Sequence, residues 1–147
     1  MDSRLAAKIS DAYALLRVYS ATMSVEELTR IAGFRPTETL IKGTRHTDRS
    51  SPAPANAIFL STESLVREKD LNAHIRELGS RLPKGVFSSK FGNEEVTIYL
   101  TIYWWTTEEV GFYLDTESFD VLSKIGVPAY FNFLIDPSPI NPTVETE

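Results

Sequence analysis

Apolar residues recur along the chain in short runs that favour β-strands. The segments 13–20, 57–62 and 129–135 are rich in aliphatic and aromatic residues. Runs of this length and composition are typical of strands that are buried on at least one face. The sequence therefore predicts three principal strands, together with shorter ones near Leu40 and at 112–114.

The segment 96–105 reads VTIYLTIYWW and carries large side chains on both faces of a strand. It follows 86–91 across the sequence GNEE, whose Gly92 and Asn93 suit a tight turn, so the pair predicts a β-hairpin. Successive strand residues point to opposite sides, and one face of 96–105 is aliphatic apart from a tryptophan. The other face carries aromatic and hydroxyl side chains, namely Thr97, Tyr99, Thr101, Tyr103 and Trp105.

Apolar residues spaced three or four positions apart predict three helices. Ser24 and Glu27 have the spacing of a capping box, and Gly33 is expected to end this first helix. The apolar stripe of the second helix consists of Leu71, Ile75, Leu78 and Leu82. Asp115 or Thr116 can cap the third helix. The apolar residues of that helix are Phe119, Leu122 and Ile125.

This order of elements predicts a single α+β domain over residues 1–135, in which a mixed or antiparallel sheet packs on about three helices as a two-layer sandwich. The first and third helices share a capped start and a terminal glycine, which allows two ferredoxin-like strand-helix-strand halves. Residues 34–56 contain three prolines and many small polar residues, so we expect a long surface loop. Residues 136–147 are acidic and contain three prolines, and we expect a flexible tail.

Charge balance and the lack of cysteine narrow the possible functions. Fifteen Lys and Arg residues against twenty Asp and Glu give a net charge of -5, which disfavours a nucleic-acid partner. Without cysteine the chain has neither disulfides nor a thiolate nucleophile. The amino terminus lacks the apolar stretch of a signal peptide, and no segment approaches the ~20 apolar residues of a membrane span. We therefore expect a soluble cytoplasmic protein without a membrane partner.

The aromatic and hydroxyl face of 96–105 continues onto 13–20 if the aliphatic positions of both strands face the core. Tyr13, Arg17 and Tyr19 then lie on the outer side. One interpretation is that these residues have high strand propensity and that the long loop covers the remaining surface. The other is a binding surface for a protein or a second copy of the chain, because Tyr, Trp and Arg are enriched at interface hot spots. Single-stranded RNA modules also use aromatic sheet faces, but 96–105 has no Lys or Arg to hold phosphates.

Candidate catalytic chemistry is sparse. His46 and Asp48 supply two potential ligands where a metal ion needs three or four, so no metal site is predicted. Arg45, His46 and Arg49 suit an anion, although such residues are equally typical of a solvated loop. His74 lies off the apolar stripe of the second helix and is predicted to be a surface residue. Without a phosphate-binding glycine pattern or a nucleophile elbow, the sequence predicts no catalytic residues and no cofactor.

Several short motifs occur in an order that resembles the bacterial family catalogued as domain of unknown function 4279. The first part is SVEELTRIAGFRPTETLIKG, in which Gly33, Pro36, Thr37, Lys42 and Gly43 fit a G-x-x-P-T pattern followed by K-G. The second part is GFYLDTESFDVLSKIGVPAYFNFLI, which is similar to the strand-helix-strand ending of the family. The chain departs from the family at Phe59, where members often have tryptophan.

The resemblance implies no established activity, but some relatives look like immunity proteins encoded beside bacterial toxins. The leading hypothesis is therefore a non-catalytic protein-binding module, in the specific form of an immunity protein that occludes a cognate toxin. The chain's acidity suits a basic partner. The candidate contact residues are Arg17, Tyr99, Tyr103 and Trp105, with Glu94 and Glu108 at the rim.

The alternative hypothesis belongs to a different class of function. A small-molecule-binding or regulatory domain would recognise an anionic ligand near the 34–56 loop. The residues that would contact this ligand are Arg45, His46 and Arg49.

Overall fold

The computed structural model describes residues 9–107 and 112–135, with side chains described from residue 11 onwards. Within these ranges, the chain forms one sheet of five strands, three α-helices and a 3-10 turn. The strands are β1 (Ile9–Ser20), β2 (Glu38–Leu40), β3 (Asn56–Ser61), β4 (Thr97–Thr106) and β5 (Ala129–Ile135). The helices are α1 (Val25–Ala32), α2 (Leu71–Arg81) and α3 (Thr116–Ile125). The predicted α+β class is confirmed.

The sheet has the strand order β2-β3-β1-β4-β5. All neighbouring strands are antiparallel except β4 and β5, which are parallel. The units β1-α1-β2 and β3-α2-β4 interlock, because β3 lies between β1 and β2 while β1 lies between β3 and β4. This is the split strand-helix-strand arrangement of ferredoxin-like folds. The sequence predicts α1 and α3 as the helices of the two halves. That prediction is wrong, because the second half contains α2, whereas α3 connects β4 to the additional strand β5.

The core lies between the helices and one face of the sheet. Alternate residues of β1 and β4 are buried on this face, and α1 and α2 contact β3 and β1 respectively. The buried strand residues are Ala12, Ala14, Leu16, Val18, Ile58, Leu60, Leu100, Ile102 and Trp104. The predicted division of 13–20 and 96–105 into an inner and an outer face is therefore confirmed, since period-two alternation leaves only one face for the core.

Both ends of α1 form as predicted. The Ser24 hydroxyl accepts a hydrogen bond from the backbone N–H of Glu27 at 3.1 Å, which satisfies a donor of the first turn. Gly33 has a φ angle of 72°, and its N–H donates to the carbonyl of Thr29 at 3.0 Å. A side chain at this left-handed position would be strained, which explains why glycine ends the helix.

The predicted hairpin of 86–91 with 96–105 is wrong. Residues Phe87–Phe91 form a 3-10 turn, and both phenylalanines are buried with ring centroids 5.8 Å apart. In an extended strand, residues four apart would be separated by about 13 Å, so the compact turn brings both rings into one part of the core. Strand β4 pairs with β1 on one edge and β5 on the other, and these long-range pairings leave no edge for 86–91.

The short strand predicted at 112–114 is also absent from the described residues. The backbone of this segment is held by Asn72 of α2 instead of a strand partner. The Asn72 side chain donates to the Tyr113 carbonyl at 3.0 Å and accepts from the Asp115 N–H at 2.9 Å and from the Ser118 hydroxyl at 2.7 Å. Asn72 is 3% exposed and Ser118 is fully buried, so one amide fixes the chain entering α3.

The start of α3 is capped by Asp115, as predicted. Its carboxylate accepts from the Ser118 N–H at 2.8 Å and pairs with Arg76 of α2 at 2.8 Å. The Ser118 hydrogen bond, aided by Arg76, holds the pKa of Asp115 below its usual value. The two helices approach closely where Gly79 faces Val121, since a Cβ built on Gly79 would lie 2.8 Å from the valine methyl groups.

His74 is buried, so its prediction as a surface residue is wrong. The ring is 1% exposed, with Nε2 2.7 Å from the carbonyl oxygen of Glu68 and Nδ1 2.7 Å from Thr62 Oγ1. A carbonyl only accepts, so Nε2 carries the proton and Nδ1 accepts from the threonine hydroxyl. Thr62 Oγ1 also accepts from the N–H of Ala14 at 2.9 Å, which ties α2 to the central strand. The histidine is a structural group that joins α2, β1 and the segment after β3.

His74 should make the fold sensitive to mild acid. Burial lowers the pKa of His74 below its usual value of about 6.5 and outweighs the attraction of nearby carboxylates. Below pH 6.5 the unfolded chain therefore takes up a proton that the folded chain excludes, and the free energy of unfolding falls until the lowered pKa is reached. Urea unfolding at several pH values between 7.5 and 5 measures this loss.

Two histidine variants distinguish the contribution of His74 to the acid sensitivity from the contribution of other titrating groups. His74→Gln should unfold at a lower urea concentration at every pH but lose the fall in stability between pH 7.5 and 5. His46→Gln, at an exposed loop position, should keep the wild-type pH dependence. An unchanged slope in His74→Gln would show that another group causes the acid sensitivity.

Asn72→Ala should destabilise the fold by about 2–3 kcal/mol, because it leaves the buried Ser118 hydroxyl and two backbone groups without their partner. Asn93→Ala, at an exposed turn position, should change the free energy of unfolding by less than about 0.5 kcal/mol. Chemical denaturation of both variants gives the comparison. Equal effects of the two substitutions would mean that Asn72 does not hold the entry into α3.

Candidate functional site

The sheet face opposite the core is the candidate site, and we name it the open face. It consists of the outward-pointing residues of four strands: Tyr13, Leu15, Arg17, Tyr19, Phe59, Tyr99, Thr101, Tyr103, Trp105, Tyr130, Asn132 and Leu134. The described helices pack on the other side of the sheet. Tyr99 and Trp105 are each 41% exposed, although they lie in the ten-residue strand β4 at the middle of the fold.

The 34–56 loop leaves this face accessible. Lys42 Nζ lies 3.5 Å from the carbonyl oxygen of Ala21, and Asn56 donates to the carbonyl of Met23 at 2.8 Å. Both contacts lie beyond the end of β1. Within the described loop, the N–H of Gly43 donates to the carbonyl of Ala53, and the N–H of Ala53 donates to the carbonyl of Thr44. The predicted surface loop is confirmed, but the interpretation that it covers the aromatic face is not supported by these contacts.

Cross-strand register organises the aromatic residues of the open face. Tyr13 lies directly opposite Tyr103, and their rings stack with centroids 4.5 Å apart. Tyr19 makes edge contacts with Phe59 and Tyr99, each at 5.9 Å. Such cross-strand aromatic pairs stabilise a sheet and hold the rings in fixed positions. The face is therefore a rigid surface before any partner binds.

Arg17 lies at the centre of the open face, on the central strand, between Phe59 of β3 and Tyr99 of β4. Its Nη2 donates to Thr101 Oγ1 at 2.8 Å, and the guanidinium carbon lies 5.8 Å from the Tyr99 ring centroid. The Nε atom is buried and has no hydrogen-bond partner among the described residues. The site thus contains a half-buried cation whose hydrogen-bonding capacity is only partly used.

The open face carries little other charge near Arg17. Burial raises the pKa of the Tyr13 hydroxyl above its usual value, and the negative charge of Glu63 adds to this shift. The phenol therefore remains neutral at physiological pH. Asp11 lies six residues along β1 from Arg17, which corresponds to about 20 Å in a strand. Arg17 is thus the positive charge at the centre of the face, and the acidic residue of its own cross-strand row is Glu38, two strands away.

The face becomes more apolar towards β5. Trp105 lies opposite Leu134 in the parallel register, and Tyr130 of the same strand is 61% exposed. Asn132 lies opposite Tyr103 and supplies an amide between these apolar side chains. Mixed aromatic, aliphatic and hydrogen-bonding character is typical of the central part of protein interfaces.

The structure brings together four of the six residues predicted to contact a partner. Arg17, Tyr99, Tyr103 and Trp105 lie on the open face. Glu94 is exposed in the turn before β4, at the end of that strand distant from Trp105. Glu108 lies outside the described residues.

The three residues predicted to bind an anion lie in the exposed part of the 34–56 loop. Arg45 donates to the carbonyl of Ser50 at 3.1 Å, and the hydroxyls of Thr47 and Ser50 are hydrogen-bonded at 2.8 Å. No hydrogen bond joins Arg45, His46 or Arg49 to one another within the described chain. These contacts organise the loop itself and do not gather the three side chains around a common point.

Other parts of the described chain are weaker candidates for a functional site. The described residues include no group of three or more metal-ligating side chains, and no described helix has the length and apolar character needed to cross a membrane. A cavity of about 260 Å³ lies between the ends of α2 and α3, on the helical side of the sheet. Its walls are formed mainly by Leu82, Pro83, Phe87, Val121 and Ile125, with Lys84 and Lys124 also present. Its volume is below the range of about 300–1,000 Å³ that is usual for ligand pockets.

The sequence-based set of contact residues missed Phe59 and Thr101. Phe59 flanks Arg17 from β3, and Thr101 accepts its hydrogen bond. The alternation of Ile58 and Leu60 with Phe59 was a usable signal, because it places Phe59 opposite the core. No pattern in the sequence indicates the contact between Arg17 and Thr101, because this contact depends on the register between strands whose two residues lie more than 80 positions apart.

Comparisons with known proteins identify the chain only at the level of a family. A search of curated proteins found no match, and a search of solved structures found none either. One family model matches residues 10–135, which include every described element except the first residue of β1. The chain therefore belongs to the family described as Domain of unknown function (DUF4279).

Proposed function

We propose that the chain is a non-catalytic protein-binding module and that its open face is the binding surface. The observation that carries this proposal is the exposure of Tyr99 and Trp105 on a rigid aromatic face that has Arg17 at its centre. Tyr, Trp and Arg are the residues most enriched at interface hot spots, because they bury a large area and keep a polar group for orientation.

The shape and composition of the face favour a macromolecule over a small ligand. The exposed aromatic positions extend along β4 and reach β5, so the surface is elongated and follows the sheet. Small ligands are usually enclosed in concave pockets that bury most of their surface. A protein partner can contact the rings, Asn132 and Arg17 together.

The specific form of the proposal is that the partner is a bacterial toxin and that this chain acts as its immunity protein in the cytoplasm. Some relatives in the family look like immunity proteins encoded beside bacterial toxins, which supports this form, as does the net charge of -5. A basic toxin would be attracted at long range by the acidic chain, which raises the rate of association. Occlusion of the toxin would require neither a catalytic residue nor a cofactor in this chain.

Truncating Tyr99 and Trp105 together to alanine should abolish partner binding without unfolding the domain. Two hot-spot residues typically contribute 2 kcal/mol or more each, so affinity should fall by about 100-fold or more. The measurement is affinity capture of the tagged chain from nuclease-treated lysate of its native host. Quantitative mass spectrometry then compares the partner recovered by the wild type and by the double variant.

Phe119→Ala is the matched control. Phe119 is 58% exposed, but it lies on α3 and not on the open face. This variant should recover the partner as the wild type does, and thermal unfolding should show that both variants remain folded. Undiminished recovery by the Tyr99→Ala/Trp105→Ala variant would refute the open face as the binding surface.

A further inference from the structure

We propose that Arg17 is the recognition point for a carboxylate of the protein partner, either an aspartate or a glutamate side chain, seated between the rings of the open face. This inference rests on the proposed function and names the chemistry of its central contact. The structure supports it through the hydrogen bonding, the environment and the charge of the guanidinium group.

The first support is the unused donor capacity of Arg17. A guanidinium has five N–H donors, and the structure records one hydrogen bond, from Nη2 to Thr101 Oγ1. The buried Nε has no partner, and none is recorded for Nη1 within the described chain. Thr101 is 6% exposed and accepts from Nη2, which leaves one Nη2 hydrogen and both Nη1 hydrogens without a recorded partner among the described residues.

The second support is the environment of the group. Phe59 and Tyr99 lie on either side of Arg17, and the edge contacts of Tyr19 with both rings close the space between them. Because Arg17 is half-buried between these rings, its contact with water is reduced, which strengthens its attraction for an opposite charge.

The third support is the absence of a counter-ion. Among the described residues no carboxylate forms an ion pair with Arg17. Glu38 is the acidic residue that shares its cross-strand row, on the far side of Phe59 and two strands away, and no ion pair joins the two. Within the part of the chain that the structure describes, the positive charge of Arg17 is therefore not neutralised by an ion pair.

A carboxylate fits these features better than a phosphate. The planar fork of an arginine matches the two oxygens of a carboxylate in a bidentate pair. Phosphate-rich partners need several cations, whereas Arg17 is the one cation among the described strand residues of the open face. The chain's net charge of -5 also opposes a polyanion, but a single acidic side chain inside a basic partner is compatible with it.

The inference can be tested on the isolated protein with benzoate, which joins a carboxylate to an aromatic ring. The neutral analogue benzamide has the same ring and shape, and phenyl phosphate tests the competing anion. NMR titration follows the side-chain ¹⁵N signals of Arg17 and the ring signals of Tyr99 at constant ionic strength. Benzoate should give saturable shifts of both sets of signals, with an affinity at least tenfold higher than that of benzamide.

Variants at Arg17 assign the effect to this residue. Arg17→Gln should weaken benzoate binding at least tenfold and remove the preference over benzamide, while Arg17→Lys should retain part of it. Arg81→Gln is the control, because Arg81 is exposed on α2 and already pairs with Glu77 at 2.9 Å. It should bind benzoate as the wild type does.

Three outcomes would overturn the inference. They are equal shifts by benzoate and benzamide in the wild type, unchanged benzoate affinity in Arg17→Gln, and tighter binding of phenyl phosphate than of benzoate. The comparison of the three probes on the wild type does not depend on any variant remaining folded. If benzoate fails while partner capture still requires Tyr99 and Trp105, the carboxylate contact is wrong and the protein-binding function stands.

Discussion

The pairing of β1 with strands on both of its edges is the constraint on which the rest of the structure depends. Its hydrogen bonds to β3 and β4 place it at the centre of the sheet. Because its side chains alternate, this one strand supplies both the most deeply buried part of the core and the middle of the open face from residue 11 onwards. A shift of one residue in register would exchange the two faces, which would place Arg17 in the core and Leu16 on the surface.

Buried polar groups attach the helices to this sheet at defined points. The Thr62–His74 pair connects α2 to the backbone of Ala14, and Asn72 connects the same helix to the start of α3. Apolar packing alone would allow α2 to slide along the sheet, whereas a buried hydrogen bond is satisfied in only one position. The helical layer is thus fixed by a few specific bonds, and no described helix needs to reach the open face to stabilise the fold.

The local parts of this structure could be predicted from the sequence, and the long-range parts could not. The alternation in 13–20 and 96–105 and the caps at Ser24 and Asp115 depend on residues close together in the chain. The failures share one cause. Local strand propensity predicts a hairpin that contains Phe87 and Phe91, whereas β4 pairs with residues of β1 that lie 78 or more positions away in the sequence. The pattern of α2 alone predicts a surface position for His74, because its partners, Thr62 and Glu68, lie outside that helix.

The candidate site shows the same division. Its composition follows from alternation, which predicts that Arg17, Tyr99, Tyr103 and Trp105 lie on one face. Its geometry depends on cross-strand register, which alone sets Arg17 between Phe59 and Tyr99 and beside Thr101. The exposed rings are not needed to fill the core, and burying Arg17 against them without a counter-ion costs stability. The open face exposes apolar area and contains a cation that has no ion pair among the described residues. Folding alone explains these two features poorly, whereas binding of a partner to this face would account for both.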